Sequence, residues 1–203
     1  MNLLFFILVA PLLGAQTRPD AMNEYRNGNF ERSIAICADE LLLSPNNIEA
    51  HIVMCWSLIG LSRYTDASVY ARSARSINRY DSRVAEIQGE IAYYEGRNNE
   101  SLRFFQEYVN LTPEGSRIDS VYYFMGEIYI RQGRFHHADI SFSLAVRLQP
   151  RNPLWWSRLA YSREKVGDFI EAIRAYQESL ALNPQLSDAR RGLERTRQAL
   201  ASR

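Results

Sequence analysis

Residues 119–152 read DSVYYFMGEIYIRQGRFHHADISFSLAVRLQPRN, and this stretch decides the fold. Apolar residues recur with helical spacing as far as Gly133, and a second helical pattern covers residues 135–148 before Pro150. Glycine readily adopts the positive φ at which many helices stop, and proline cannot continue a helix. The segment is therefore predicted to be a helical hairpin.

Small residues mark the points where the two helices of this hairpin must approach closely. They are Gly126 on the first helix and Ala138 and Ala145 on the second. Larger side chains fill the space between the helices: Tyr122, Met125, Tyr129, Phe135 and Phe142. Neither helix can bury its apolar face alone, so hairpins of this kind have to stack.

The same helix-ending and small residues recur along the chain at equivalent positions, which form three columns when the repeats are aligned. The first holds Gly28, Ser62, Gly96, Gly133 and Gly167, at intervals of 34, 34, 37 and 34 residues. The second is Pro45, Arg79, Pro113, Pro150 and Pro184, and the third, of small residues, is Ala21, Cys55, Gly89, Gly126 and Ala160. All three columns shift by three residues at one place, which indicates an insertion in a single linker. We expect Gly115 in that linker to be less constrained than Gly133.

The period and the columns resemble the tetratricopeptide repeat, whose unit has 34 residues. Residues 153–186 match it through Trp156, Leu159, Ala160, Gly167, Phe169, Ala172, Tyr176 and Pro184, and residues 119–152 match equally closely. Residues 48–81 and 82–118 are looser, with Arg79, Asn98 and Tyr108 at unusual positions, and residues 16–47 hold a partial unit. The resemblance implies an all-α, right-handed superhelical stack of helix-turn-helix hairpins over residues 16–186.

The last segment, residues 187–203, is predicted to be a capping helix that keeps the final hairpin soluble. An alternative is a basic foot for anionic lipid headgroups or an acidic partner, giving peripheral membrane contact. That alternative depends on five arginines: Arg190, Arg191, Arg195, Arg197 and Arg203.

The apolar run at residues 1–15 resembles a signal peptide ending at Leu13, Gly14 and Ala15, so we expect an exported bacterial protein, periplasmic or secreted. The run contains no lysine or arginine, and it is too short to span a bilayer as a helix. The alternative is an uncleaved apolar helix, acting as a short membrane anchor or packing on the first hairpin.

Composition and reactive residues favour a protein without catalytic chemistry. The formal net charge is +1, which gives no global field for nucleic acid. His136 and His137 are adjacent and diverge on a helix, so they cannot share a metal, and His51 is expected to be structural. Cys37 and Cys55 are expected to be buried small hydrophobes, with a disulfide as the alternative. No motif for catalysis, cofactor or metal is present, so none of these is predicted.

The resemblance also implies that the first helices line a concave groove. The residues expected to face a partner there are Ile52, Trp56, Ile59, Glu86, Glu90, Tyr93, Tyr123, Glu127, Tyr161 and Glu164. Aromatic and aliphatic side chains alternate with carboxylates, which suits a segment with apolar and basic side chains. The alternative is that the aromatic residues belong to the core and the glutamates only solvate the face. Some relatives grip carboxylate-ended chaperone tails with Lys, Arg and Asn, and the acidic residues here argue against that activity.

These observations predict a non-enzymatic protein-interaction scaffold of the cell envelope that binds a protein or peptide in an aromatic and acidic groove. Three alternatives stay open: a membrane-attached subunit of an envelope assembly or transport complex, an enzyme without a recognisable motif, and a cytoplasmic adaptor for RNA or protein.

Overall fold

A computed structural model describes residues 20–202, and the predicted signal peptide or anchor at residues 1–15 lies outside the described residues. The described chain contains eleven helices and no strand. Five hairpins follow one another: α1 (Ala21–Arg26) with α2 (Phe30–Leu43), α3 (Ile48–Gly60) with α4 (Tyr64–Ile77), α5 (Ser82–Tyr94) with α6 (Asn98–Leu111), α7 (Ile118–Arg131) with α8 (Phe135–Leu148), and α9 (Pro153–Val166) with α10 (Phe169–Leu182). A last helix, α11 (Ser187–Ala201), follows them. The predicted all-α stack of hairpins is confirmed.

Short polar residues start several of the first helices. The side chains of Asn47, Asp81 and Asn152 accept hydrogen bonds from backbone N–H groups of the helix that follows each of them, which would otherwise lack a partner. Pro153 stands in the first turn of α9, where its missing N–H costs nothing.

The turn inside each hairpin contains one residue in the left-handed region. These residues are Gly28, Ser62, Gly96, Gly133 and Gly167, with φ values of 77°, 58°, 75°, 69° and 82°. They are the five residues of the first column found in the sequence, and Ser62 is the one that is not glycine. The column therefore records a backbone requirement of the turn.

The helices of a hairpin meet at the small-residue column. A Cβ added to Gly89 would lie 2.5 Å from Phe105, and one added to Gly126 would lie 2.6 Å from Phe142. Ala138, on the helix that follows Gly126 in the same hairpin, is fully buried, as the sequence indicated. At these points the backbone of the first helix packs directly against a ring of the second.

The first helices of successive hairpins form the inner layer of the stack. Contacts join α1 to α3, α3 to α5, α5 to α7 and α9 to α11, whereas the second helices contact mainly first helices. The stack therefore curves with its first helices on the inside. The last helix, α11, buries Ala189, Leu193 and Thr196, and its Gly192 lies against the ring of Tyr176.

The inserted linker lies between α6 and α7 and covers residues 112–117, whereas the three other linkers between hairpins and the linker before α11 have four residues each. Tyr108 holds this linker in place, because its hydroxyl accepts a hydrogen bond of 3.1 Å from the Arg117 backbone N–H. A Cβ on Gly115 would lie 2.3 Å from the same hydroxyl. Gly115 therefore has little free space beside it, whereas Gly133 has open space and a φ of 69°, so the two glycines are constrained in different ways and the expected difference between them stays a prediction.

Both cysteines are buried in the first two hairpins, and their thiols are unpaired. Burial raises the pKa of the Cys37 thiol to about 12 and raises the pKa of Cys55 further. The structure therefore shows the small buried thiols that the sequence favoured over a disulfide. Between residues 20 and 202, no helix is both long enough and apolar enough to cross a membrane.

Candidate functional site

Two cavities open on the inner layer of first helices, which we call the first-helix face. The N-terminal cavity has a volume of about 470 Å³. Its walls are aromatic and aliphatic on the side of α1 to α3 and charged on the side of α5 and the inserted linker: Tyr25, Phe30, Trp56, Ile59, Arg83, Glu86, Glu90, Tyr108 and Arg117.

The C-terminal cavity has a volume of about 510 Å³ and lies between α7, α9 and α11. Three tyrosines and several ion-paired side chains line it: Tyr123, Glu127, Leu154, Arg158, Tyr161, Tyr176, Asp188, Arg191 and Arg195. Both cavities are therefore built from the same layer of the stack, one in each half of the chain.

Seven of the ten residues predicted to face a partner line these cavities. Trp56, Ile59, Glu86 and Glu90 line the N-terminal cavity, and Tyr123, Glu127 and Tyr161 line the C-terminal one. Glu164 lies beside the second cavity, bonded to Tyr176 and Arg195, and Tyr93 lines neither. The expectation for Ile52 is wrong, because its side chain is fully buried in the core.

The aromatic residues of the first-helix face pack against neighbouring helices and keep part of their surface exposed. Trp56 stacks on Tyr25 with the ring centroids 5.8 Å apart, and Tyr123 stacks on Trp155 at 5.3 Å. The guanidinium of Arg131 covers Tyr93 at 3.9 Å from the ring centroid. The sequence presented core packing and partner contact as alternatives for these aromatic residues. In the structure the same side chains pack against the core and keep an exposed surface.

Two carboxylates of the first-helix face, Glu127 and Glu164, each bind an arginine of a helix further along the chain: α9 supplies Arg158 and α11 supplies Arg195. Arg158 binds both oxygens of Glu127, with Nη2 2.7 Å from Oε2. Arg195 binds both oxygens of Glu164 at 2.6 and 2.7 Å, and the Tyr176 hydroxyl donates to the same carboxylate. Bidentate pairs of this kind are strong and fix geometry. We call these two ion pairs, together with the ion pairs of Arg83 and Arg117 described next, the arginine–carboxylate ladder.

The ladder continues toward the N-terminus with two arginines that each serve two acids. Arg83 lies 2.7 Å from oxygens of both Glu49 and Asp81. Burial alone would raise the pKa of Asp81, but the hydrogen bonds and charge of Arg83 outweigh it and hold the pKa below its ordinary value.

Arg117, at the end of the inserted linker, serves Glu86 and Glu90 together. Its Nε donates to Glu86 at 3.0 Å, and its Nη2 reaches both carboxylates. Glu86 and Glu90, which we call the acidic pair, are 2% and 7% exposed. Burial, and then repulsion from Glu86, raise the pKa of Glu90 to about 8, and Arg117 only partly offsets this.

The ladder changes the interpretation of the acidic residues. Most of the carboxylates expected to select a basic partner are already neutralised within the chain. The arginines that line the two cavities are paired with carboxylates of the chain, so they are not free to bind a carboxylate tail either.

The sequence reasoning missed the ladder arginines Arg117, Arg158 and Arg195 and the contribution of Tyr25, Phe30 and Tyr108. A signal for the arginines exists, because Glu86, Glu127 and Glu164 are each followed by their partner arginine after 31 residues. On α11, Arg195 belongs to the ladder and Arg191 pairs with Asp188. These ion pairs reduce the positive charge that α11 could offer to anionic lipid headgroups or to an acidic partner.

Metal binding finds no support in the described part of the chain, where no cluster of three or more His, Cys, Asp or Glu residues is positioned to hold an ion. His51 is buried, and its Nε2 lies 2.9 Å from the Pro45 carbonyl, as expected for a structural histidine.

Comparison with known families places the tetratricopeptide repeat at residues 119–152 and at residues 153–186. The chain therefore carries tetratricopeptide repeats, at the two units that the sequence pattern marked as the closest matches. A comparison with curated proteins found no match.

Several solved structures share the fold. PilF of Pseudomonas aeruginosa has a TM-score of 0.78 at 18% identity, covering 89% of this chain and 81% of that one. PilW, a widely conserved type IV pilus biogenesis factor, has a TM-score of 0.75 at 21% identity, covering 89% of this chain and 83% of that one. The first repeat domain of Spaghetti (RPAP3), bound to the HSP90 peptide SRMEEVD, has a TM-score of 0.54 at 23% identity and covers 59% of this chain and 93% of its own. These likenesses concern the fold.

Proposed function

We propose that this protein is a non-enzymatic scaffold that holds a segment of a partner protein on its first-helix face. The observation that carries the proposal is the pair of cavities of about 470 and 510 Å³ on one layer of helices. Partly exposed aromatic side chains line both, and aromatic anchors in pockets contribute most of the free energy of many protein interfaces. A relative in fold, the Spaghetti (RPAP3) domain, has been solved with a bound peptide.

The proposed selectivity rests on apolar side chains more than on charge. In the C-terminal cavity each carboxylate has its own arginine, so a partner gains little there by bringing a counter-charge. Its apolar side chains can pack on Tyr123, Tyr161 and Leu154. Charged groups in this half hold the helices in register and leave the aromatic surface to make the contact.

We also propose that the scaffold is exported and works in the cell envelope. The support is the apolar run at residues 1–15 and the shared fold with PilW, a pilus biogenesis factor. Attachment through residues 1–15 to an envelope assembly is the second candidate. The intact mass of the protein from its native cells separates the two, because loss of residues 1–15 supports export and full length supports attachment.

The function is tested by partner binding of matched variants. Ile59→Ala and Tyr161→Ala alter the two cavities, and Ile170→Ala and Tyr80→Ala make the same changes at side chains that are 56% and 72% exposed elsewhere. We expect the cavity variants to weaken binding of the co-purified partner by about 1 to 4 kcal/mol with the helical signal unchanged. Loss of binding in the control variants, with the cavity variants unaffected, would place the partner on another surface.

A further inference from the structure

The N-terminal cavity differs from the rest of the ladder in its charge. Arg117 serves Glu86 and Glu90 in the cavity wall, and Arg83 of the same wall serves Glu49 and Asp81, which lie beside the cavity, so two arginines face four carboxylates in and beside it. In and beside the C-terminal cavity each acid has its own arginine: Glu127 with Arg158, Glu164 with Arg195, and Asp188 with Arg191. The shortage of positive charge is therefore confined to one of the two cavities.

From this contrast we infer that the N-terminal cavity takes a basic side chain, a lysine or an arginine, of the partner segment. The inference rests on the proposed function and specifies the chemistry of the partner at one point. Acidic residues also outnumber arginines over residues 20–117, and the balance reverses after residue 118. The field of the N-terminal half therefore attracts a cation over a longer range.

Burial makes the acidic pair a strong attractor for a cation. Glu86 and Glu90 are nearly inaccessible, so water screens them poorly, and a single guanidinium has to satisfy both. The other titratable or charged groups near the pair are Tyr25 of α1, Tyr94 of α5, Tyr108 of α6 and Arg117. A second cation would complete a neutral cluster without leaving a buried charge unpaired.

The opposite wall of the cavity suits the remainder of such a side chain. Tyr25, Phe30, Trp56 and Ile59 offer an apolar surface along which the methylene stem of a lysine or arginine can pack. Aromatic rings also attract a cation placed over their faces. An apolar wall opposite an acidic one matches the two halves of a basic side chain better than it matches a purely aliphatic residue.

Binding of the basic side chain should be linked to release of a proton. Burial and repulsion from Glu86 raise the pKa of Glu90 and favour its protonated form near neutral pH. A bound cation favours ionised Glu90, so the affinity for the cation should rise as the pH increases through the raised pKa of Glu90. An aliphatic side chain in the same cavity would show no such dependence.

The experiment uses two probe peptides with the full protein: acetyl-Leu-Lys-Leu-amide, and the same peptide with norleucine in place of lysine. Binding is followed by NMR at the indole N–H of Trp56, which lines the cavity. We expect the lysine peptide to bind about tenfold more tightly than the norleucine peptide, with affinity rising from about pH 6.5 to about pH 8.5. Equal affinities, or no shift of Trp56 with either peptide at millimolar concentration, would overturn the inference.

Matched variants locate the charge that the peptide senses. Glu90→Gln should remove the preference for lysine and its pH dependence, whereas Glu127→Gln, in the C-terminal cavity, should change neither. If Glu90→Gln folds poorly, Glu49→Gln can replace it, because the Glu49 side chain is 59% exposed. Glu49→Gln should reduce the preference for the lysine peptide. Loss of the preference in Glu127→Gln alone would contradict the assignment to this cavity.

Failure of this inference can be told apart from failure of the proposed function. If the norleucine peptide binds as tightly as the lysine peptide, the preference for a basic side chain is refuted, but the proposal that the cavity binds apolar side chains of a partner is not. If partner binding depends on Ile170 and Tyr80 instead of Ile59 and Tyr161, the proposed function is refuted, and the result of the peptide experiment does not change this.

Discussion

The substitution Ser62→Gly should stabilise the protein, because Ser62 has the backbone conformation that glycine has in the other four turns of its column. Its φ is 58°, and a residue with a side chain pays about 1 to 2 kcal/mol for the left-handed region. Glycine loses about 0.4 to 1 kcal/mol more entropy on folding, which offsets part of this gain. The free energy of unfolding should therefore rise by about 0.5 to 1 kcal/mol.

The reciprocal change, Gly96→Ser, is the matched control. Gly96 has φ 75°, and a Cβ built on it would meet nothing within 4 Å, so a clash cannot explain any effect. It should lower the free energy of unfolding by about the amount that Ser62→Gly adds. A double variant carrying both changes should fall close to the native protein, because the two turns are in different hairpins.

Urea unfolding followed by circular dichroism measures both free energies. Hydrogen exchange adds the location, because repeat arrays open hairpin by hairpin. Ser62→Gly should slow exchange in α3 and α4, and Gly96→Ser should speed it in α5 and α6. A destabilising Ser62→Gly, or a neutral Gly96→Ser, would show that the turn does not require the left-handed conformation.

Three other outcomes follow from packing and titration. Gly126→Ala should cost about 1 to 3 kcal/mol in urea unfolding, since its Cβ would lie 2.6 Å from Phe142; an unchanged midpoint would mean that the helices are further apart. Cys37 and Cys55 should react with a thiol reagent only as fast as their hairpins open, and rapid labelling of the native protein would contradict their burial. Because the native pKa of Glu90 is raised, the stability of the wild type relative to Glu90→Gln should fall as pH rises from about 5 to about 8, and a constant difference would contradict it.

The sequence was most informative where a backbone requirement repeats in every unit. The glycine column predicted the left-handed turns, including the one at Ser62, and the small-residue column predicted the close helix approach at Gly89 and Gly126. Each of these signals depends on a single residue and its own backbone, so periodicity is sufficient to find it.

Interactions between units were harder to predict, because they depend on side-chain direction. Ile52 and Trp56 lie one helical turn apart, yet Ile52 is buried in the core and Trp56 lines a cavity. A rotation of the helix by a fraction of a turn decides between the two, and apolar composition does not fix it. The same limit applied to Glu127, whose partner Arg158 lies on the next first helix.

The inserted linker shows how one unusual residue can control another. Tyr108 replaces a small residue of the repeat, and Gly115 and Arg117 lie in the insertion. In the structure the Tyr108 hydroxyl occupies the space beside Gly115 and binds the Arg117 N–H, which places Arg117 over the acidic pair. The sequence showed the substitution and the insertion separately, and only the geometry joins them.

Site-specific photo-crosslinking in native cells tests the central claim most directly. A photoreactive amino acid would replace Ile59 in the N-terminal cavity or Tyr161 in the C-terminal cavity, and Ile140 or Ile170 on the second helices as controls. We predict that both cavity positions capture the same partner protein, through neighbouring peptides of one segment, and that the controls do not. Capture of that partner from Ile140 or Ile170, with none from the cavities, would contradict the proposal that the first-helix face binds it.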